Sequence, residues 1–190
     1  MLILNSFTNL TFEAGLELTS GWWNCIELAD MDGDGDLDLL AGNYGLNSML
    51  KPSGEEPLEM YLNDFDNNGR PDQILCSNRG GISCPLASLD ELATQIPGLK
   101  ASFPNYSDFG GASITNLFNR EILQHSVKKV ALVFESSLFV NNGSGLFERL
   151  PLPIEAQFSS VRDLMRGKCM GSTTNCPRTP GMDYSHCACG

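Results

Sequence analysis

Oxygen-bearing side chains stand at positions one, three, five and nine of two nine-residue stretches, Asp30-Met31-Asp32-Gly33-Asp34-Gly35-Asp36-Leu37-Asp38 and Asp64-Phe65-Asp66-Asn67-Asn68-Gly69-Arg70-Pro71-Asp72. This spacing turns every second side chain toward one centre as the backbone wraps, and a glycine at position six, Gly35 or Gly69, permits the sharp turn. The two stretches hold eight of the chain's 12 aspartates, a crowding of like charge that disfavours folding unless a hard cation sits among the carboxylates. The chemistry implied is calcium held by oxygen ligands. Position seven of such a loop contributes only its main-chain carbonyl, so Asp36 and Arg70 are expected there as backbone ligands.

Three rival readings are weaker. An EF-hand requires a bidentate Glu at position 12 and helical flanks, whereas position 12 is Ala41 or Leu75 and the flanks read as strands. A phosphatase-type Asp-x-Asp nucleophile needs one aspartate with a separate acid, lysine and magnesium, which a duplicated motif does not suit. Solvated Asp/Gly turns explain one such loop readily, but not two copies with the same four-position spacing. His125 and His186 are the only histidines, so no Ser/His/Asp or Cys/His arrangement can be assembled and no catalytic residue is expected. Trp22 and Trp23 could form a carbohydrate platform, although paired aromatics at a strand entry more often pack inside. Asn9, Asn105 and Asn142 begin short glycosylation sequons that matter only in a suitable host.

The elements that must position the acidic loops are hairpins. From Cys25 to Asn43 the pattern is strand, loop, strand, with Ile26 and Leu28 before the acids and Leu37, Leu39 and Leu40 after them. The pattern returns from Met60 to Cys76 at an offset of 34 residues, Asp30 to Asp64. A second echo relates Leu10-Thr11-Phe12-Glu13 to Gly145-Leu146-Phe147-Glu148, with Asn141-Asn142-Gly143 as a hairpin signal before the latter. Between Leu86 and Gln124 the texture is helical: Ser88-Leu89-Asp90-Glu91 opens a run, Pro97 and Pro104 break it, and Ser113 to Leu123 forms another. Strand character resumes at Val130–Phe134 and Leu138–Val140. Repeated hairpins point to a propeller or solenoid. The expected organisation is blades with two calcium loops over 1–85, a helical insertion over 86–128, further blade strands over 129–160, and a divergent tail over 161–190.

Composition narrows the partners. A formal charge of −11 offers no basic patch, which argues against nucleic acid or an anionic membrane. No apolar run reaches the length of a membrane span, and Met1–Leu4 is too short to be the apolar part of a signal peptide. Simple oxygen cages suit the millimolar calcium outside cells, so an extracellular or cell-envelope location is expected. Cys25, Cys76 and Cys84 are scattered, while Cys169, Cys176, Cys187 and Cys189 crowd the end. A third acidic loop is due near Met165 but the chain there is basic and Cys-rich, which reads as a shifted coding frame or a genuine Cys-rich tail.

The acidic loops, their strand flanks, the phrases around Phe12 and Phe147, Gly21-Trp22-Trp23-Asn24, the Gly42-Asn43-Tyr44-Gly45-Leu46-Asn47 turn and Glu155-Ala156-Gln157-Phe158 together resemble the FG-GAP or VCBS repeats of integrin-alpha-like β-propellers. The likeness is to a bacterial branch sometimes associated with ASPIC/UnbV domains, and it covers about residues 7–160. It implies a mainly β fold, a partial β-propeller of antiparallel blades with a helical insertion, and calcium in loops between blade strands. The function it implies is adhesion, scaffolding or binding of a protein or glycan ligand. Mapped onto this chain, the first site uses Asp30, Asp32, Asp34 and Asp38 with the Asp36 carbonyl, and the second uses Asp64, Asp66, Asn68 and Asp72 with the Arg70 carbonyl. Asn68 lowers the charge of the second cage and its expected affinity. Two to three blades do not close a propeller, so the remaining blades of a longer chain are expected as partners. The alternative is a polysaccharide-acting enzyme or carbohydrate-binding accessory domain.

Overall fold

The computed structural model describes residues 8–164. The acidic, Cys-rich and frame questions raised by the last segment fall on residues 165–190, outside the described residues. The fold is mainly β. Its elements run β1 (Cys25–Ala29), β2 (Asp38–Gly42), β3 (Leu58–Asn63), β4 (Asp72–Arg79), β5 (Ile82–Pro85), α1 (Leu89–Gln95), α2 (Leu99–Ser102), α3 (Tyr106–Phe109), α4 (Ile114–Leu117), α5 (Arg120–His125), β6 (Val127–Ala131), β7 (Ser137–Asn141) and β8 (Phe147–Pro151). The strands form two open antiparallel sheets, ordered β1-β2-β7-β8 and β5-β4-β3-β6.

These sheets belong to two compact units. One contains the described residues up to Ser48 and from Phe134 on, and the other is Met49–Val133. The linear blocks expected from the sequence cut across them, because β6 pairs with β3 while β7 pairs with β2.

In the first unit, β1 and β2 form the hairpin around the first acidic loop, with Ala29 paired to Asp38. Leu40 faces Leu138 across the β2–β7 ladder, and both are buried. As the edge strand, β1 leaves Ile26 and Leu28 exposed at 61% and 55%, so alternation placed the strand but not its buried side. Around this sheet the aromatic rings pack against one another: Trp23 meets Phe139 edge-on at 5.5 Å, and Trp22 meets Tyr44 edge-on at 5.1 Å and Phe134 at a tilt at 4.7 Å. Buried Gln157 fixes the turn after β2, since its side chain bridges Ser136 and Leu152 and its carbonyl accepts the Leu46 N–H. Gly45 fits there because its φ is +87° and a Cβ would stand 2.7 Å from the Ser159 carbonyl oxygen.

The two similar phrases near the ends are not equivalent structures. Leu10–Gly15 is a turn closed by Ala14 N–H to Leu10 O and Leu16 N–H to Thr11 O, whereas Phe147–Pro151 is β8. They touch instead, through Phe147 N–H to Ala14 O at 3.0 Å.

In the second unit, the β3–β4 hairpin carries the second acidic loop, with Asn63 paired to Asp72. One sheet face packs Tyr61, Ile74 and Cys76 against Leu89, Leu92, Ile96, Leu99, Ile114 and Phe118 of the helical segment. Burying each large apolar side chain contributes about 1.5–3 kcal/mol, so this cluster is the unit's main source of stability. Helix α1 starts where expected, and a capping box closes its first turn, Glu91 N–H to Ser88 Oγ and Ser88 N–H to Glu91 Oε2. The helix expected over Ser113–Leu123 divides in two, because Phe118 is extended and Asn119 caps α5 by accepting the Ile122 N–H. Strand β6 begins three residues before the expected Val130.

Candidate metal centres

Each acidic loop leaves one strand and enters the next at the same register: Ala29 is paired with Asp38, and Asn63 with Asp72. Position nine is therefore the first residue of the second strand in both hairpins. Both Asp38 and Asp72 are buried, at 0% and 4% exposure, which is unusual for a carboxylate unless it is well bonded.

The bonds are repeated. Oδ2 of Asp38 accepts the Met31 N–H at 2.7 Å, and Oδ2 of Asp72 accepts the Phe65 N–H at 3.0 Å, so position nine holds position two in each loop. Position one holds position six, through Asp30 Oδ2 with Gly35 N–H at 3.2 Å and Asp64 Oδ2 with Gly69 N–H at 2.7 Å. Position three accepts from position five, at 3.2 Å in both loops (Asp32 from Asp34, Asp66 from Asn68). Position five accepts from position seven, at 2.8 Å in both (Asp34 from Asp36, Asn68 from Arg70). The loops differ at one bond: Asp30 Oδ1 takes the Gly33 N–H at position four, whereas Asp64 Oδ1 takes the Asn68 N–H at position five.

Backbone conformation repeats as well. Position six is left-handed in both loops, Gly35 at φ +98° and Gly69 at +83°, and so is position four, Gly33 at +85° and Asn67 at +58°. Asn67 is the single non-glycine residue with positive φ among the described residues, and Asn tolerates that region better than most side chains.

The result is a convergence of carboxylates. Asp30, Asp32 and Asp38 each offer an oxygen within 4.8 Å of the others, and Asp64, Asp66 and Asp72 do the same. Opposite ligands of one calcium ion at 2.6 Å stand about 5.2 Å apart, so both groups of three fit around one hard cation. The carboxylates of Asp34 and Asp36 are not part of the first trio, and in both loops positions five and seven are joined by a side chain–backbone bond, Asp34 with Asp36 and Asn68 with Arg70.

Neighbouring elements hold the two loops in different ways. Asp38 Oδ1 accepts the Asn141 N–H at the end of β7, at 2.8 Å, and Asn141 Nδ2 donates to Leu37 O at 3.4 Å. Loop two instead sends Phe65 into the helical core, where its ring lies 4.3 Å from Phe118. Asn141 was legible in sequence only as part of a hairpin signal, and its role as an anchor arises from the β2–β7 pairing.

The remaining candidates are structural. His125 sits at the end of α5 with Nδ1 2.8 Å from Glu121 O, and His186 lies outside the described residues. Trp22 and Trp23 use their rings for packing, and Trp23 Nε1 donates to Thr19 O at 2.8 Å. Burial pushes the Cys76 thiol up to about 12 despite a hydrogen bond from Ser83, and burial also raises Cys25. Both are poor nucleophiles on that account.

Away from the loops, the buried Glu59 carboxylate receives Tyr61 Oη at 2.9 Å, Ser83 Oγ at 2.7 Å, Asn78 Nδ2 at 3.2 Å and Lys128 Nζ at 2.9 Å. Burial pushes this acid up, but the hydrogen bonds from Ser83, Lys128, Tyr61 and Asn78 outweigh it and hold Glu59 below its ordinary value. For Lys128, burial is outweighed by its bonds to Glu59 and Tyr61, and its value is raised.

Among the described residues, no helix is long and apolar enough to cross a membrane. No protein-family model, curated protein or solved structure matches the chain.

Proposed function

We propose that this chain is a non-catalytic calcium-binding module of a cell-surface or secreted protein, built from propeller-type hairpins and serving adhesion, ligand binding or scaffolding. The observation that carries this reading is the repetition. Two hairpins 34 residues apart, Asp30 to Asp64, share their acid spacing, strand register, left-handed positions four and six, and the position-nine-to-two bond. Selection for a turn alone does not require buried carboxylates converging with exposed ones. A hard cation does, because it converts their mutual repulsion into shared coordination.

Calcium in such a site acts as a structural part. Asp30, Asp32 and Asp38, and their counterparts Asp64, Asp66 and Asp72, would supply the charged oxygens, and binding would fasten each loop to the strand that follows it. The polysaccharide-acting alternative draws no support from Trp22 and Trp23, whose rings are engaged by Phe134, Tyr44 and Phe139. Calorimetric titration of the chelator-treated chain with calcium tests the reading: two binding events are expected, one lost in Asp30→Asn and the other in Asp64→Asn, and heat-silent titration would reject it.

A further inference from the structure

Alternation along β3 and β4 sends Leu58, Ser77 and Arg79 to the sheet face opposite Glu59 and the helices, with Leu58 paired directly to Ser77. Leu86, just past β5, joins them and is held by its N–H to Leu75 O at 2.9 Å. The segment before β3 folds over this face. Its shape is fixed by Ser53 N–H to Glu56 O at 3.1 Å, Glu56 N–H to Ser53 Oγ at 3.0 Å and Asn78 N–H to Pro57 O at 3.1 Å. Between segment and sheet lies a cleft of about 310 Å³ lined by Lys51, Glu56, Leu58, Ser77, Arg79 and Leu86 among others.

The lining is chemically mixed in a way that suits one class of molecule. Two of the nine Lys and Arg side chains among the described residues of this acidic chain meet here. Arg79 forms no ion pair among the described residues. A guanidinium presents a planar fork of donors that matches a carboxylate, and Ser77 adds a hydroxyl beside it. Leu58 and Leu86 supply an apolar floor. A volume near 300 Å³ lies at the lower end of small-ligand sites, which limits the occupant to about one sugar or amino-acid unit.

We propose that this cleft binds a small organic carboxylate, with Arg79 holding the carboxylate and Leu58 and Leu86 carrying its apolar body. Glu56 offers an acceptor to a hydroxyl or ammonium group on the same ligand. The site is independent of the calcium loops and stands or falls separately from them.

Amide chemical-shift titration of the full chain with benzoate, leucine and galacturonate, alongside benzamide, galactose and inorganic phosphate, tests the proposal. At least one carboxylate is expected to saturate below roughly 50 mM, a weak affinity typical of so small a contact, with shifts centred on Lys51, Ser77 and Arg79. The responding probe identifies whether the source is an aromatic acid, an amino acid or a uronic acid. Arg79→Gln is expected to weaken that binding by about tenfold with the melting temperature unchanged. The proposal is overturned if none of the three carboxylates saturates, if the neutral counterpart or phosphate binds as well, or if Arg79→Gln binds like the parent.

Discussion

Asp38 and Asn141 are joined across 103 positions of sequence by a 2.8 Å hydrogen bond, backbone N–H to Oδ1. The other oxygen of the same carboxylate holds Met31 inside the acidic loop. One buried side chain thus connects a candidate metal loop to the neighbouring strand of its sheet. Asp72 makes the equivalent loop bond to Phe65 but sits in a hairpin anchored by that phenylalanine in a helical core.

From that connection, Asp38→Ala should destabilise the metal-free chain by about 1–3 kcal/mol, the penalty for leaving buried donors unsatisfied. Asp32→Ala, at an exposed position, should change metal-free stability by no more than about 0.5 kcal/mol. Urea unfolding in chelator measures both, and equal effects would remove the anchoring role of Asp38.

The left-handed positions are open to a backbone test. A Cβ on Gly35 or Gly69 would meet nothing within 4 Å, so the effect of alanine there is conformational alone and should be about 1 kcal/mol in each loop. Asn67→Gly should be close to neutral, because glycine accepts φ +58° without strain, while Asn67→Val should destabilise. Denaturation midpoints of the four variants give the comparison.

How much of this the residues announced depends on the range of the interaction. The two loops and their flanking strands were legible because acid spacing and alternation are local signals, and the helix start at Ser88–Glu91 was legible for the same reason. Sheet partners were not. Nothing local in Val127–Ala131 or Ser137–Asn141 says that the first joins β3 and the second β2, since non-local pairing is decided by packing across the chain. The likeness between the Phe12 and Phe147 phrases misled for a related reason: similar residues served as a turn and a strand that contact each other. Of the candidate sites, spacing identified the acids, while the burial of Asp38 and Asp72 and the anchors Asn141 and Phe65 required the fold.

Unequal charge separates the two sites. Asn68 stands where the first loop has Asp34, so the second loop should bind calcium more weakly, and Asn68→Asp should strengthen it by about tenfold. Titrating calcium into single-loop variants reads each affinity alone. An unchanged second site in Asn68→Asp would show that position five plays no part in coordination.

Acid sensitivity should arise partly at Glu59. Its value in the folded chain lies below the ordinary 4.5, so its contribution is complete above that pH and is lost as pH falls through the lowered value. Lys128 is raised above 10.5, so its share persists through neutral pH and is lost only at strongly alkaline pH. Glu59→Gln should therefore reduce stability at pH 7 by about 1–3 kcal/mol and make the acid limb of the stability–pH curve shallower. A parallel displacement of the whole curve would contradict the linkage.

The central claim is that calcium is a structural component of the two hairpins, and the melting temperature of the full chain in chelator and in millimolar calcium tests it most directly. A cation present at a hundred times its dissociation constant stabilises by about 2.7 kcal/mol per site, which for a chain of this size corresponds to a rise of roughly 5–10 °C for one filled site and about twice that for two. That rise is predicted for the parent and should vanish in the Asp30→Asn/Asp64→Asn double variant. Identical melting of the parent in chelator and in calcium would contradict the account.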